Sequence, residues 1–339
     1  MKKIRDILLL LLYLLLLSSC FNDESEKLKH LGDTKEIMRL TLADASQPVF
    51  SLVYIAEFNG YFKELGLEIN YLKFSTGRDA LNSLLGGRSD IATVFETPVV
   101  IQAFARQPMS VLGTLHRSER NTGLVVRKDH GIGHINDLIG KKIAVPFNTN
   151  AQFFLNQYLS SHGLPLEDIK LVNIKPQEAV DVFFRGDVDA VAIWNPHLYK
   201  VQNILPSGQL TTYYSDLYSE MSMLVTLKEK VKTKRQAYLR LLQAVKKAET
   251  FFYQNPNKAK QIVIGRLKNN FDQKIIENIW PNILAEVVVS NSLFSLLEQE
   301  ALWMKGVGIV ANDLPDFSEY IDQSLLKEVD ASAVTFSNN

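Results

Sequence analysis

From Ile37 onward the chain alternates short apolar, β-branched runs with stretches of helical spacing, and that alternation commits it to a layered α/β architecture. Residues 37–43 read as a strand, and the loop 44–48 follows it. A helix is expected over 49–62, with Phe50, Val53, Tyr54 and Phe58 near helical spacing. Residues 67–74 form the next strand, and 75–79 open a helix that runs through Leu85 to Gly86-Gly87. A buried strand over 90–95 leads through Glu96-Thr97-Pro98 into a helix over 99–106, and 109–115 is a further strand. A second series repeats this grammar, with strands at 143–147, 169–174 and 190–194 and helices at 151–162 and 177–185. The extended runs 122–128 and 223–227 read as crossings between two lobes. The remainder, at 234–253, 258–264, 273–279 and 292–305, is helical. The expected organisation is a discontinuous lobe 1 (37–123 and 226–325), a lobe 2 (124–225) and a polar tail (326–339) that frays from Asp330, with a ligand cleft at strand C-terminal ends.

The first 36 residues have another character. Lys2, Lys3 and Arg5 form a basic head, Leu8 to Leu17 an almost unbroken leucine run, and Ser18-Ser19 precede Cys20, the only cysteine. Residues 1–19 read as a secretory signal peptide: basic start, an apolar core too short to span a bilayer comfortably, small residues at the cut. The alternative is an uncleaved membrane anchor. The ending resembles the lipobox of bacterial lipoproteins, so Cys20 is the expected lipidation site. Residues 20–36, polar and without apolar period, are then a lipidated flexible tether. The folded body is accordingly expected outside the cytoplasm, in the cell envelope, tied to the membrane. With one cysteine, no intramolecular disulfide is available there.

Composition excludes several classes. The chain holds 37 basic and 37 acidic residues, scattered rather than striped, which is no nucleic-acid footprint. Six scattered histidines offer no metal spacing, and no metal or cofactor is expected. No G-x-S-x-G elbow, strand-borne G-x-G-x-x-G or H-E-x-x-H occurs, so an enzyme is not expected.

Three segments carry a resemblance. Residues 81–91 (LNSLLGGRSDI) combine a helix end, glycines and an aspartate before an apolar residue. Residues 137–145 read DLIGKKIAV, and residues 186–196 read GDVDAVAIWNP. In this order they resemble the substrate-binding proteins of ABC importers in the nitrate, sulfonate, taurine and thiamine-pyrimidine precursor class. The resemblance runs from about Ile37 to Tyr320. It implies a type II periplasmic-binding fold, with two αβ lobes joined by two hinge crossings. It also implies closure on a small-molecule ligand and delivery to ABC permease subunits. A monomer is expected.

The candidate ligand contacts follow the strand ends. In Asn148-Thr149-Asn150-Ala151, a helix N-terminus presents free amides and partial positive charge to an oxyanion, and Thr149 or Asn150 adds a side-chain donor; ordinary N-capping is the alternative. Thr76 makes the same offer from lobe 1, whereas Arg78 reads as a solvated first-turn residue. Gln47 follows the first strand as an amide contact. Glu96 and Thr97 follow the third, and a cleft-facing Glu96 would favour an amine or a pyrimidine N–H over a bare anion. Trp194 supplies a wall or stacking face, or else a core ring beneath the cleft. The expected ligand is a small organic anion, sulfonate- or taurine-like. The alternatives are a thiamine-type pyrimidine precursor or other heteroaromatic, and a sensor subunit that uses the same cleft.

Overall fold

The computed structural model describes residues 36–206 and 208–336. The leader, Cys20 and almost all of the expected tether lie outside the described residues. Ten strands form two sheets: β1 Met38–Asp44, β2 Leu67–Lys73, β3 Ile91–Phe95, β4 Met109–Ser118, β5 Thr122–Arg127, β6 Lys142–Val145, β7 Lys170–Asn173, β8 Ala190–Trp194, β9 Leu210–Tyr213 and β10 Glu220–Leu227. The first sheet has the order β2-β1-β3-β10-β4 and the second β7-β6-β8-β5-β9. In each, three parallel strands are followed by one antiparallel strand, β10 or β5, and an edge. The central strands are apolar along their whole length because both faces are covered, as in IATVF of β3.

Both expected crossings prove to be sheet. Thr122–Arg127 is fully buried and pairs with β8 on one side and β9 on the other. Buried amides and carbonyls need ladder partners, so the crossing falls to the polar residues 119–121. By the same logic Met223 to Leu227 lies inside β10, paired with β3 and β4, and the return crossing is 214–219.

Six helices matter below: α1 Ser51–Phe58, α2 Gly77–Leu85, α3 Glu96–Phe104, α4 Asn150–Ser161, α5 Arg235–Gln254 and α6 Asn291–Gly306. The helix expected to reach Phe62 breaks at Gly60, whose φ of +73° leaves the helical region. Helix α2 sits close on β3 because residue 77 is glycine: a Cβ there would lie 3.1 Å from the Val94 Cα. Helix α3 begins at Glu96, three residues earlier than expected, with Phe95 in the cap position. Helix α5 buries Tyr238, Leu241, Leu242, Val245, Ala248 and Phe252 along one stripe against α1, while α6 packs on α3.

The stretch from 326, expected as a polar tail frayed from Asp330, is docked through residue 336. Leu325 and Leu326 are buried, Val334 bridges to Val289, and the Phe336 ring lies 5.3 Å from that of Phe294. Apolar residues spaced through a polar stretch suffice to hold it.

Candidate ligand-binding cleft

A cavity of about 410 Å³ opens where the strands of both sheets end and the next helices begin. Thr76 to Arg78 at α2, Phe95 and Pro98 at α3, and Asn148 to Asn150 at α4 all reach its wall. Three helix N-termini therefore point amides and partial positive charge toward one space.

The three ends differ in how they are capped. At α2 the Thr76 hydroxyl oxygen accepts from the Asp79 amide at 3.1 Å and donates to the Asp79 carboxylate at 2.8 Å, a conventional cap. At α4 the residue in the cap position is Thr149, but its hydroxyl donates back to the Pro146 carbonyl at 2.7 Å and leaves its own helix uncapped. No side chain caps α3 either. The first-turn amides of α4, those of Asn150 and Ala151, thus have no intrahelical acceptor and no capping oxygen. The Asn150 side chain points away from the cavity: its amide nitrogen donates to Glu220 at 3.1 Å and Thr122 at 3.2 Å. The side-chain donors expected of Thr149 and Asn150 are therefore already engaged, and the backbone carries the offer. Ala151, expected as a contact, is buried off the cavity wall.

Gln47 is only 5% exposed, and its Oε1 has no hydrogen-bond partner among the described residues. Its loop is firmly held. The buried Asp44 carboxylate accepts from the Ser46 amide at 2.9 Å and the Tyr54 hydroxyl at 2.8 Å, and the Ala45 amide donates to Thr93 at 3.0 Å. An acceptor fixed this way and left unpaired costs about 1–3 kcal/mol unless something donates to it. Gln47 also lines a second opening of about 770 Å³, where Lys73 and Lys200 lie. Burial lowers the nearby His197 to about 4, so it is neutral there. Trp194 lines the first cavity, with its ring edge-on to His197.

Glu96 and Thr97 do not belong to this wall, contrary to expectation. Because α3 starts at Glu96 itself, both side chains turn into the interior and are fully buried. Glu96 accepts from the Tyr218 hydroxyl and, at 3.2 Å, from the Met221 amide. The cleft gains residues that sequence reasoning passed over: Phe147, Asn173, Lys175 and Glu178. The strand-end rule already applied to β1, β3 and β6 would have found Asn173 and Lys175 at the end of β7. Arg78, read as solvated, is more than half exposed yet lines the cavity mouth. Arg78 and Lys175 against Glu178 leave the lining with a net positive balance.

Residues 47–259 match the model of the NMT1/THI5 like family. The chain belongs to that family. A putative aliphatic sulfonates-binding protein of Bacillus subtilis is 26% identical over 260 residues, 74% of this chain and 76% of that protein. The taurine-binding periplasmic protein of Escherichia coli is 30% identical over 138 residues, covering 41% of this chain and 42% of its own length. Among solved structures, the periplasmic aliphatic sulphonate binding protein SsuA from Escherichia coli superposes with a TM-score of 0.72 at 16% identity, covering 89% of this chain and 94% of that one. The fold of this NMT1/THI5-like protein is therefore that of the periplasmic binding proteins, an α/β fold with two mixed sheets. Among the described residues no helix is long and apolar enough to cross a membrane.

Proposed function

We propose that this NMT1/THI5-like protein is the substrate-binding component of an ABC importer. It captures a small organic anion with a sulfonate head by closing its two halves, and delivers it to a membrane permease. The observation that carries this reading is the uncapped N-terminus of α4 on the cavity wall. A sulfonate is ionised at every physiological pH and has three acceptor oxygens, which suits backbone donors that cannot lose charge. Arg78 and Lys175 reinforce it, and Trp194 and Phe147 offer apolar surface to the tail. A taurine-like ammonium at the other end would give the Gln47 Oε1 its missing donor. The pyrimidine alternative loses its main support with Glu96 absent from the wall. Closure requires only that the ligand bind the closed form better than the open one.

On this reading the protein works as a monomer without chemical turnover, outside the cytoplasm, anchored through an acylated Cys20. The leader pattern of residues 1–20 supports the anchor, and mass analysis of a membrane fraction would find the acyl chains. The test of function is a thermal-shift panel of taurine, alkanesulfonates, nitrate and hydroxymethyl-pyrimidines. At ~100-fold excess over Kd a true ligand adds about 2.7 kcal/mol, a shift of several degrees. Sulfonates should respond, be recovered unchanged, and bind at least about tenfold more weakly to Trp194→Ala. A response to pyrimidines alone would sink the oxyanion reading.

A further inference from the structure

Next to the cleft lies a knot of carboxyl groups that do not line it. Glu96 at the start of α3, Glu220 at the start of β10 and Glu300 on α6 are all 0% exposed. Glu220 Oε1 accepts from the Asn121 side-chain amide at 2.5 Å. Its Oε2 accepts from the Thr122 hydroxyl at 2.5 Å and from Asn150 at 3.1 Å. Glu300 lies beside Glu96 and Thr97, but neither of its oxygens reaches hydrogen-bonding geometry with a donor.

The groups facing this knot bring no positive charge. From α3 there is Glu96, from α6 Glu300, and from the return crossing the phenol of Tyr218, which burial and Glu96 keep protonated. From β4 comes His116, fully buried, with both ring nitrogens unpartnered among the described residues; burial pushes it down to about 3, so it is neutral. Arg117 is turned to Glu286 at 3.1 Å and Arg120 to Asp216 at 3.1 Å. Three carboxyls without a cation cannot all be ionised in so dry a place. Burial raises Glu96 to about 7; burial and then Glu96 raise Glu220 to about 8, while burial holds Glu300 well above the carboxylate range.

Asn150 links the knot to the cleft. Asn150 binds Glu220 through its side chain, and its backbone amide belongs to the uncapped turn on the cavity wall. Glu220 also ties the two crossings together, since Asn121 ends the first, Thr122 follows it at the start of β5, and Glu220 itself follows the second at the start of β10.

We infer that Glu220 is a positioning residue that carries an exchangeable proton: it holds Asn150 and both crossings, and an anion bound at the α4 N-terminus draws a proton onto it. This rests on the oxyanion reading above. The added negative charge favours the neutral carboxyl, and by reciprocity the proton favours the anion by the same factor. A protonated Glu220 remains satisfied, because its hydroxyl can donate to Thr122 while Asn150 and Asn121 continue to donate to the carboxyl.

The test is calorimetry of the full-length protein with ethanesulfonate, whose charge is constant, from about pH 6 to 9 in two buffers of different ionisation enthalpy. With Glu220 raised to about 8 in the free protein, one pKa unit of coupling should make affinity about fivefold tighter at pH 6 than at pH 9, with fractional proton uptake largest at about pH 8 to 9. Glu220→Gln, an isosteric change, should bind with no pH slope and no proton uptake. Glu96→Gln should keep the uptake but move its midpoint to lower pH. A flat wild-type profile, proton release, or an unchanged slope in Glu220→Gln would overturn the inference while leaving the oxyanion site intact. Silence of every sulfonate at every pH would remove both.

Discussion

Asn150 belongs both to the cleft and to the knot of carboxyls, and the two regions treat polar groups in opposite ways. On the cleft side, the Arg78 side chain is more than half exposed to water, and helix amides are left uncapped where a ligand can occupy them. On the knot side, Glu96 and Glu220 take hydroxyl, amide and phenol donors with no cation, and Glu300 has no donor among the described residues, so protons replace counterions. Water access decides which solution a polar group takes. It also decides which region answers to ligand and which to pH.

The largest separation between the two should come from pH. Glu96 and Glu220 hold protons in the folded state up to about 7 and about 8, whereas the unfolded chain releases them in the ordinary carboxylate range. The unfolded state therefore binds fewer protons across that window. Stability is fully present below about pH 4.5 and falls as pH rises toward 8, by on the order of a few kcal/mol for the knot as a whole. Urea unfolding at about pH 5 and pH 8 measures it, and a curve that is flat or rises with pH would contradict the knot as described.

A smaller effect isolates the carboxyl with no donor. Glu300→Met keeps the volume and removes two unsatisfied buried oxygens, so it should stabilise by about 1–3 kcal/mol at neutral pH. A lower melting temperature in the variant would mean that Glu300 is better paired than its geometry shows. The smallest effect belongs to the cleft rim. Thr76→Ala removes the α2 cap and should cost about 1 kcal/mol. Because that cap faces the cavity from the first sheet, the same variant should bind sulfonate no more than a few-fold more weakly; a loss as large as that of Trp194→Ala would place the anion at α2 instead of α4.

Much of the cleft was readable in the sequence because one rule, ligand at the C-terminal end of a strand, needs only local patterning. Gln47, Thr76, Thr149, Asn150 and Trp194 all reach the cavity wall by that rule. It failed at Glu96 and Thr97 because a one-turn shift in where α3 begins rotates both side chains inward, and a helix start is the least local feature of such a pattern. The role of Asn150 was misplaced for a different reason: its partner Glu220 is 70 residues away. The docked stretch after residue 326 was missed because Val334 and Phe336 find their partners, Val289 and Phe294, only once α6 is in place.

Local patterning was enough for the α/β alternation, the strand ends and the family, since each is carried by residues close together along the chain. Tertiary structure alone decided which helix end stays uncapped, where the two crossings fall, and that Glu96, Glu220 and Glu300 meet. Burial and charge coupling depend on what surrounds a group in space, and residues brought together from three distant segments leave no periodic trace in the chain.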